Sequence, residues 1–229
     1  MNGTGIRLNK YLAKNCNMSR READTLIESG KVCINGRVAR IGDKKMPDDR
    51  VTINKRDVVE QKLIYLALNK PVGYVCSKKH QDDTPTIYEL LPKKYQSLKS
   101  VGRLDKNSSG LILLTNDGDF AFRMTHPKFA KQKHYRVVID RELEPLHQQM
   151  ISNFGIQLSD GRSQMSLVRI GEGRKKWEVI ISEGRNRQIR RTFDALGYKV
   201  ITLHRFQFGS YQLADLPEGG YVEIERGNI

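Results

Sequence analysis

The sequence predicts an α+β protein of two unequal parts, and three observations carry that expectation. Extended segments outnumber helical ones without a regular βαβ alternation, which points to a mixed, mainly antiparallel sheet with flanking helices. The first sixty residues read in the order helix, helix, hairpin. A polar, mixed-charge stretch from Asn54 to Lys62 then separates them from the rest, as a linker would. The predicted division is therefore a small unit over residues 1–60 and a larger one over 63–229.

In the small unit, Leu8, Tyr11 and Leu12 recur at helical spacing in a segment that also carries Arg7, Lys10 and Lys14. Ser19-Arg-Arg-Glu22 has the spacing of a capping box, in which each end of the tetrad bonds the backbone of the other, and Gly30 closes the helix it starts. Ala23, Leu26 and Ile27 supply its buried side. Asn35-Gly36 between Val32 and Val38 marks a tight hairpin, and Arg50-Val-Thr-Ile53 a further strand.

In the larger unit, strands are expected at Ile64–Leu68, Gly110–Thr115, Tyr135–Ile139, Trp177–Ile181 and Val200–Leu203, where β-branched and aromatic residues collect. Helices are expected from Glu144 to Phe154 and from Arg187 to Leu196, the second ending at Gly197. Ile189, Phe193 and Leu196 form the buried stripe of that last helix.

Composition narrows the function classes. Forty Lys and Arg against 26 Asp and Glu give a formal +14, a field that favours a polyanionic partner. The small unit carries +6 of this, with 14 basic and 8 acidic residues in positions 1–62. Six residues, Leu63–Leu68, make the longest apolar run, against about 20 for a membrane span. With no apolar leader at the N-terminus, a cytoplasmic protein is expected. Cys16, Cys33 and Cys76 lack disulfide or zinc spacing, the five histidines lack ligand spacing, and no phosphate-binding glycine loop follows a strand. Neither metal nor cofactor is expected.

Two constellations could carry chemistry. Gly102-Arg-Leu-Asp105-Lys-Asn-Ser-Ser-Gly110 feeds a buried strand, so Asp105 either displays a carboxylate at a rigid element's end or caps a turn with Ser108 and Ser109. Glu183-Gly-Arg-Asn-Arg-Gln-Ile-Arg-Arg gathers Arg187, Arg190 and Arg191 at a helix start, where guanidiniums oppose the dipole. Either an anion lies close by, or Arg190 pairs with Asp194 on an exposed face.

Together with Asn69-Lys-Pro-Val-Gly-Tyr74 and Lys133-His-Tyr-Arg-Val137, these segments occur in the order found in RNA pseudouridine synthases. The first unit resembles the S4 RNA-binding domain, through Ser-Arg-Arg at its second helix and the Val-x-Ile-Asn-Gly hairpin. The whole resembles the RsuA/RluB/RluF group, which modifies ribosomal RNA. That resemblance implies isomerisation of a flipped-out uridine without cofactor, by a monomer acting on free or pre-ribosomal RNA. It implies Asp105 as the essential carboxylate, Arg190 as its basic partner and Tyr135 as the ring against the uracil. Arg103 would fill the space the base vacates, Ile189 and Arg187 would bind the substrate, and Arg20, Arg21, Lys31 and Arg37 would face structured RNA. A non-catalytic RNA-binding or ribosome-assembly protein is the alternative. An RNA methyltransferase would need a glycine-rich donor loop that is not seen.

Overall fold

The computed structural model describes residues 5–78 and 83–227. Its contacts divide into two compact units, Met1–Ile64 with Asn116–Gly118, and Tyr65–Thr115 with Asp119–Ile229.

The first unit opens with β1 (Ile6–Arg7) and α1 (Leu8–Asn15), whose Leu8, Tyr11 and Leu12 are buried as their spacing demands. In α2 (Arg20–Glu28) the Glu22 amide donates to Ser19 Oγ at 3.1 Å and the Ser19 amide to Glu22 Oε2 at 2.6 Å, a reciprocal cap worth about 1 kcal/mol. Ala23 and Ile27 are buried beneath it and Leu26 is partly so. Then come β2 (Val32–Ile34), β3 (Arg37–Val38), β4 (Lys44–Lys45), β5 (Val51–Ile53) and β6 (Arg56–Asp57). β1 pairs β4, and the other four form an antiparallel sheet in the order β3-β2-β5-β6. Asn35 and Gly36 both have positive φ, as the tight turn between β2 and β3 requires.

One expectation is corrected here. Asn54 and Lys55 also take positive φ and return the chain into β6 on β5, so residues 54–57 are a hairpin end rather than the start of a linker. The mixed charge of that stretch concealed a backbone turn that Asn tolerates well.

Among the described residues the second unit is built on a nine-stranded sheet. Its strands are β7 (Tyr65–Lys70), β8 (Lys99–Val101), β9 (Ser109–Thr115), β10 (Lys133–Ile139), β13 (Ser166–Arg169), β14 (Lys176–Ile181), β15 (Val200–Phe208), β16 (Tyr211–Gln212) and β17 (Tyr221–Glu223). β11 (Ile156–Leu158) and β12 (Gly161–Ser163) form a separate hairpin. The main order is β13-β14-β10-β15-β9-β7-β17, with β16 on β15 and β8 on β9, and every pairing is antiparallel except β15 with β9. The sheet is mixed and mainly antiparallel, as expected. β7 is buried at all six positions and β9 at all but its first, which is why both read as apolar runs rather than alternations.

Among the described residues three α-helices flank it: α3 (Gly118–Thr125), α4 (Pro145–Gln149) and α5 (Gln188–Asp194). α4 widens into a π-helical turn at Met150–Phe154, together filling the span expected from 144 to 154. α5 ends before Gly197, at φ +78°, as expected. Trp177, Val179, Val137, Phe193 and Tyr198 lie at the heart of the core, where each fully buried side chain contributes roughly 1.5–3 kcal/mol. Among the described residues no helix is long and apolar enough to cross a membrane.

Candidate active site

The loop from Gly102 to Ser108 is clamped through its backbone. Leu104 tucks inward and its amide donates to Cys76 Sγ at 3.4 Å. The Ser108 amide turns back to the Asp105 carbonyl at 3.0 Å, and the Gly73 amide donates to the Lys106 carbonyl at 2.8 Å. The fully buried Lys70 ammonium donates to the Ser108 carbonyl at 2.6 Å and the Pro71 carbonyl at 2.9 Å. Burial pushes its pKa down to about 8, with Cys76, Asp105 and Glu218 pulling the other way.

With the backbone so occupied, the Asp105 side chain is left free. Its carboxylate accepts no hydrogen bond from the other described residues, is about a third exposed, and lies 3.8 Å from Arg187 Nη1. The turn-capping alternative fails, because Asp105 closes its turn with a carbonyl. The carboxylate opens into a cavity of about 400 Å3, lined also by Arg103, Tyr135, Ile189, Lys133 and Arg205.

The ion pair of Asp105 is with Arg187, while Arg190 bears on the carboxylate through its charge alone. Arg190, expected as the basic partner of Asp105, donates instead to the Asn107 carbonyl at 2.7 Å and the Val200 carbonyl at 2.8 Å. It pins the loop two residues beyond Asp105, and the exposed-face pair with Asp194 does not form among the described residues. Burial and the neighbouring Arg187 lower its pKa, with Asp105 opposing. Arg187 reaches the carboxylate because it stands at the N-cap of α5 in the left-handed conformation, φ +46°, which turns it out of the helix and towards the cavity.

Side-chain bonds hold the segment bearing Arg187. Buried Gln188 donates to the Glu183 carboxylate and to Ser163 Oγ, which Thr192 Oγ1 also reaches at 2.8 Å. Arg185 and Arg191 both grip Asp160, at 2.9 and 2.7 Å.

Known proteins resemble both units. A family model described as RNA pseudouridylate synthase matches residues 64–195, and one for the S4 domain matches residues 6–51. The chain is 35% identical over 231 residues to "Ribosomal large subunit pseudouridine synthase B" of Escherichia coli K12, covering 96% of this chain and 79% of that protein. It is 34% identical over 218 residues to an "Uncharacterized RNA pseudouridine synthase" of Aquifex aeolicus, covering 94% and 90%. A crystal structure of a pseudouridylate synthase superposes with a TM-score of 0.69 at 34% identity over 96% of both chains. The chain belongs to the RNA pseudouridylate synthase family.

Within this pseudouridine synthase, Tyr135, 7% exposed, sits on β10 at the cavity wall, and its hydroxyl makes no hydrogen bond to another described residue. Ile189, 4% exposed, lines the same wall from α5. Arg103 is exposed at the mouth, without hydrogen bond or ion pair to the other described residues.

Two cations of the cavity went unremarked as site residues. Lys133 donates to the Glu183 carbonyl at 3.2 Å, and burial, aided by Arg205, lowers its pKa to about 8. Arg205, 2% exposed, donates from Nε to the Leu111 carbonyl at 2.8 Å and leaves a buried Nη2 unpartnered. Strand parity was the available signal, since Lys133 shares a face with Tyr135, Val137 and Ile139, and Arg205 with Leu203.

In the S4 unit, Arg20, Arg21, Lys31 and Arg37 are all exposed. Arg20 reaches Asn9 Oδ1 at 3.3 Å, whereas Arg37 pairs with Asp43 at 2.8 Å. The Arg40 amide first and then Arg37 hold the Asp43 carboxyl below its ordinary range.

Proposed function

We propose that this pseudouridine synthase isomerises a uridine of large-subunit ribosomal RNA, using Asp105 as its carboxylate, and that its S4 unit holds the RNA. The observation that carries this reading is the Asp105 carboxylate itself, unbonded, beside Arg187, and open to the cavity that holds Tyr135. The large-subunit assignment is supported by the name of its Escherichia coli relative.

The reaction breaks the bond from ribose C1′ to uracil N1, turns the base, and joins C1′ to C5, which gives up its proton while N1 gains one. A carboxylate either attacks a carbon or takes a ribose proton, and both routes require its anion. Arg187 supplies the neighbouring positive charge that favours this anion. When the N1 bond breaks, negative charge collects on the uracil ring and its oxygens. Lys133 and Arg205 offer two cations in the same cavity, arranged before the reaction begins. Tyr135 presents a ring face to the uracil. A stacked uridine cannot reach these groups, so the nucleotide is flipped out, at a few kcal/mol that RNA contacts must offset. Arg103 is free to occupy the gap. Arg20, Arg21, Lys31 and Arg37 serve as phosphate contacts of the S4 unit.

Incubation of the purified chain with unmodified large- and small-subunit ribosomal RNA tests this reading. A single new pseudouridine is expected in the large-subunit RNA, and none with Asp105→Asn, which retains RNA binding. Conversion by Asp105→Asn at the unaltered rate, or modification of the small-subunit RNA alone, would overturn it.

A further inference from the structure

A second feature of the catalytic unit lies at the rim of the cavity. α3 turns Phe120 and Met124 into the core, and it leaves Phe122 46% exposed on the opposite side. His126 stacks at a tilt on Phe122, with ring centroids 4.7 Å apart, and Phe129 meets Phe122 edge to face at 5.8 Å. The Lys128 ammonium stands 5.2 Å from the centre of the Phe122 ring and 4.8 Å from that of Phe129. Three aromatic rings, that of Phe129 partly buried, and a cation thus share one small surface.

That surface is continuous with the site. Thr125 and Pro127, which alternate in sequence with the platform residues, line the cavity together with Asp105 and Tyr135. A Cβ placed at Gly102, in the catalytic loop, would meet Thr125 Cγ2 at 3.6 Å.

An exposed Phe beside other rings contributes little to the core, and apolar surface rimmed by positive charge marks a binding face. Single-stranded nucleic acid is held by the same combination, a ring on which a base stacks and a cation that meets the phosphate. We propose that Phe122, His126, Phe129 and Lys128 form a stacking platform for one unpaired base of the substrate RNA, within a few nucleotides of the uridine flipped into the cavity. The cation and the shared wall favour RNA over a protein partner. The platform holds the strand after its bases have unstacked, so that part of the stacking lost on flipping is regained against protein. This inference rests on the substrate reading above.

The test uses the full chain and a large-subunit RNA fragment containing the mapped uridine, under single-turnover conditions. Phe122→Ala should raise the half-saturating RNA concentration by about tenfold with the rate at saturation unchanged, as expected for one lost stacked base. Phe122→Trp should bind as the unaltered chain does. Phe122→Leu, which keeps apolar bulk without an aromatic face, should lose as much as Phe122→Ala, separating stacking from folding. Replacing the bases around the uridine one at a time by abasic nucleotides should reveal one position that weakens the unaltered chain about tenfold and leaves Phe122→Ala unaffected. Unchanged RNA affinity in Phe122→Ala, or losses that add at every abasic position, would overturn the platform and leave the surface to a protein partner. Failure of the unaltered chain to convert any large-subunit uridine would instead sink the substrate assignment.

Discussion

Gly110 lies directly against the backbone of Arg205: a Cβ at position 110 would fall 2.1 Å from the Arg205 carbonyl oxygen and 2.7 Å from its nitrogen. These residues pair in the parallel junction of β9 with β15, where Gly110 has φ +105°. The junction joins the strand after the catalytic loop to the strand that carries a cavity cation. Gly110→Ala should therefore lose about 3 kcal/mol or more from overpacking and strain together. Denaturant unfolding of the variant against the unaltered chain measures this, and a loss below about 1 kcal/mol would contradict the close approach.

The two arginines of the site should separate by their effects on stability. Arg187→Gln removes an exposed ion pair, so stability should fall by less than about 1 kcal/mol while single-turnover conversion falls by about 10²-fold. Arg190→Gln removes two charge-assisted bonds to carbonyls and should cost about 2–3 kcal/mol in stability in addition to activity. Equal unfolding midpoints for the two variants would contradict these roles.

Burial lowers the pKa of both Lys70 and Lys133 to about 8 in the folded chain, against 10.5 for an ordinary lysine. Between about pH 8 and 10.5 the unfolded chain thus binds more protons at these positions than the folded one, and their contribution to stability rises with pH through that window. The rise should be shallower in Lys133→Met. Activity should move the opposite way, falling above about pH 8 as the Lys133 ammonium loses its proton, and Lys133→Arg should shift that fall upward. A pH profile of single-turnover rates that is flat to pH 9.5 would exclude a role for the charge.

RNA binding by the S4 unit should respond to salt. Arg21→Ala and Lys31→Ala each remove an exposed cation that makes no hydrogen bond to the other described residues. Each should reduce the slope of log affinity against log salt by about 1 with little change in which uridine is modified. Arg37→Ala should do less, because Asp43 already offsets its charge. Slopes indistinguishable from that of the unaltered chain in all three variants would place RNA elsewhere.

Much of the fold was legible in the sequence because local rules and packing agree there. Ser19 and Glu22 cap one another, Asn35 and Gly36 turn together, and β7 and β9 read as apolar runs because both faces are covered. Tertiary geometry concealed the rest. Arg187 and Arg190 are three residues apart on one helical side, so spacing could not tell which meets Asp105; the left-handed backbone at 187 decides it. Lys133 and Arg205 carry charges that ordinarily signal surface, and their strand parity went against that habit. α3 begins at Gly118, in what reads as the turn Asn116-Asp-Gly118, and its exposed Phe122 follows no core periodicity.

The carbonyl clamp from Arg190 to Asn107 spans 83 positions of sequence. During synthesis the S4 unit leaves the ribosome with nearly its whole core complete, whereas the geometry around Asp105 must wait until α5 has emerged. On the reading proposed above, a chain that ends between residues 119 and 189 should therefore bind RNA without converting it, as filter binding and a conversion assay on such a truncation would show.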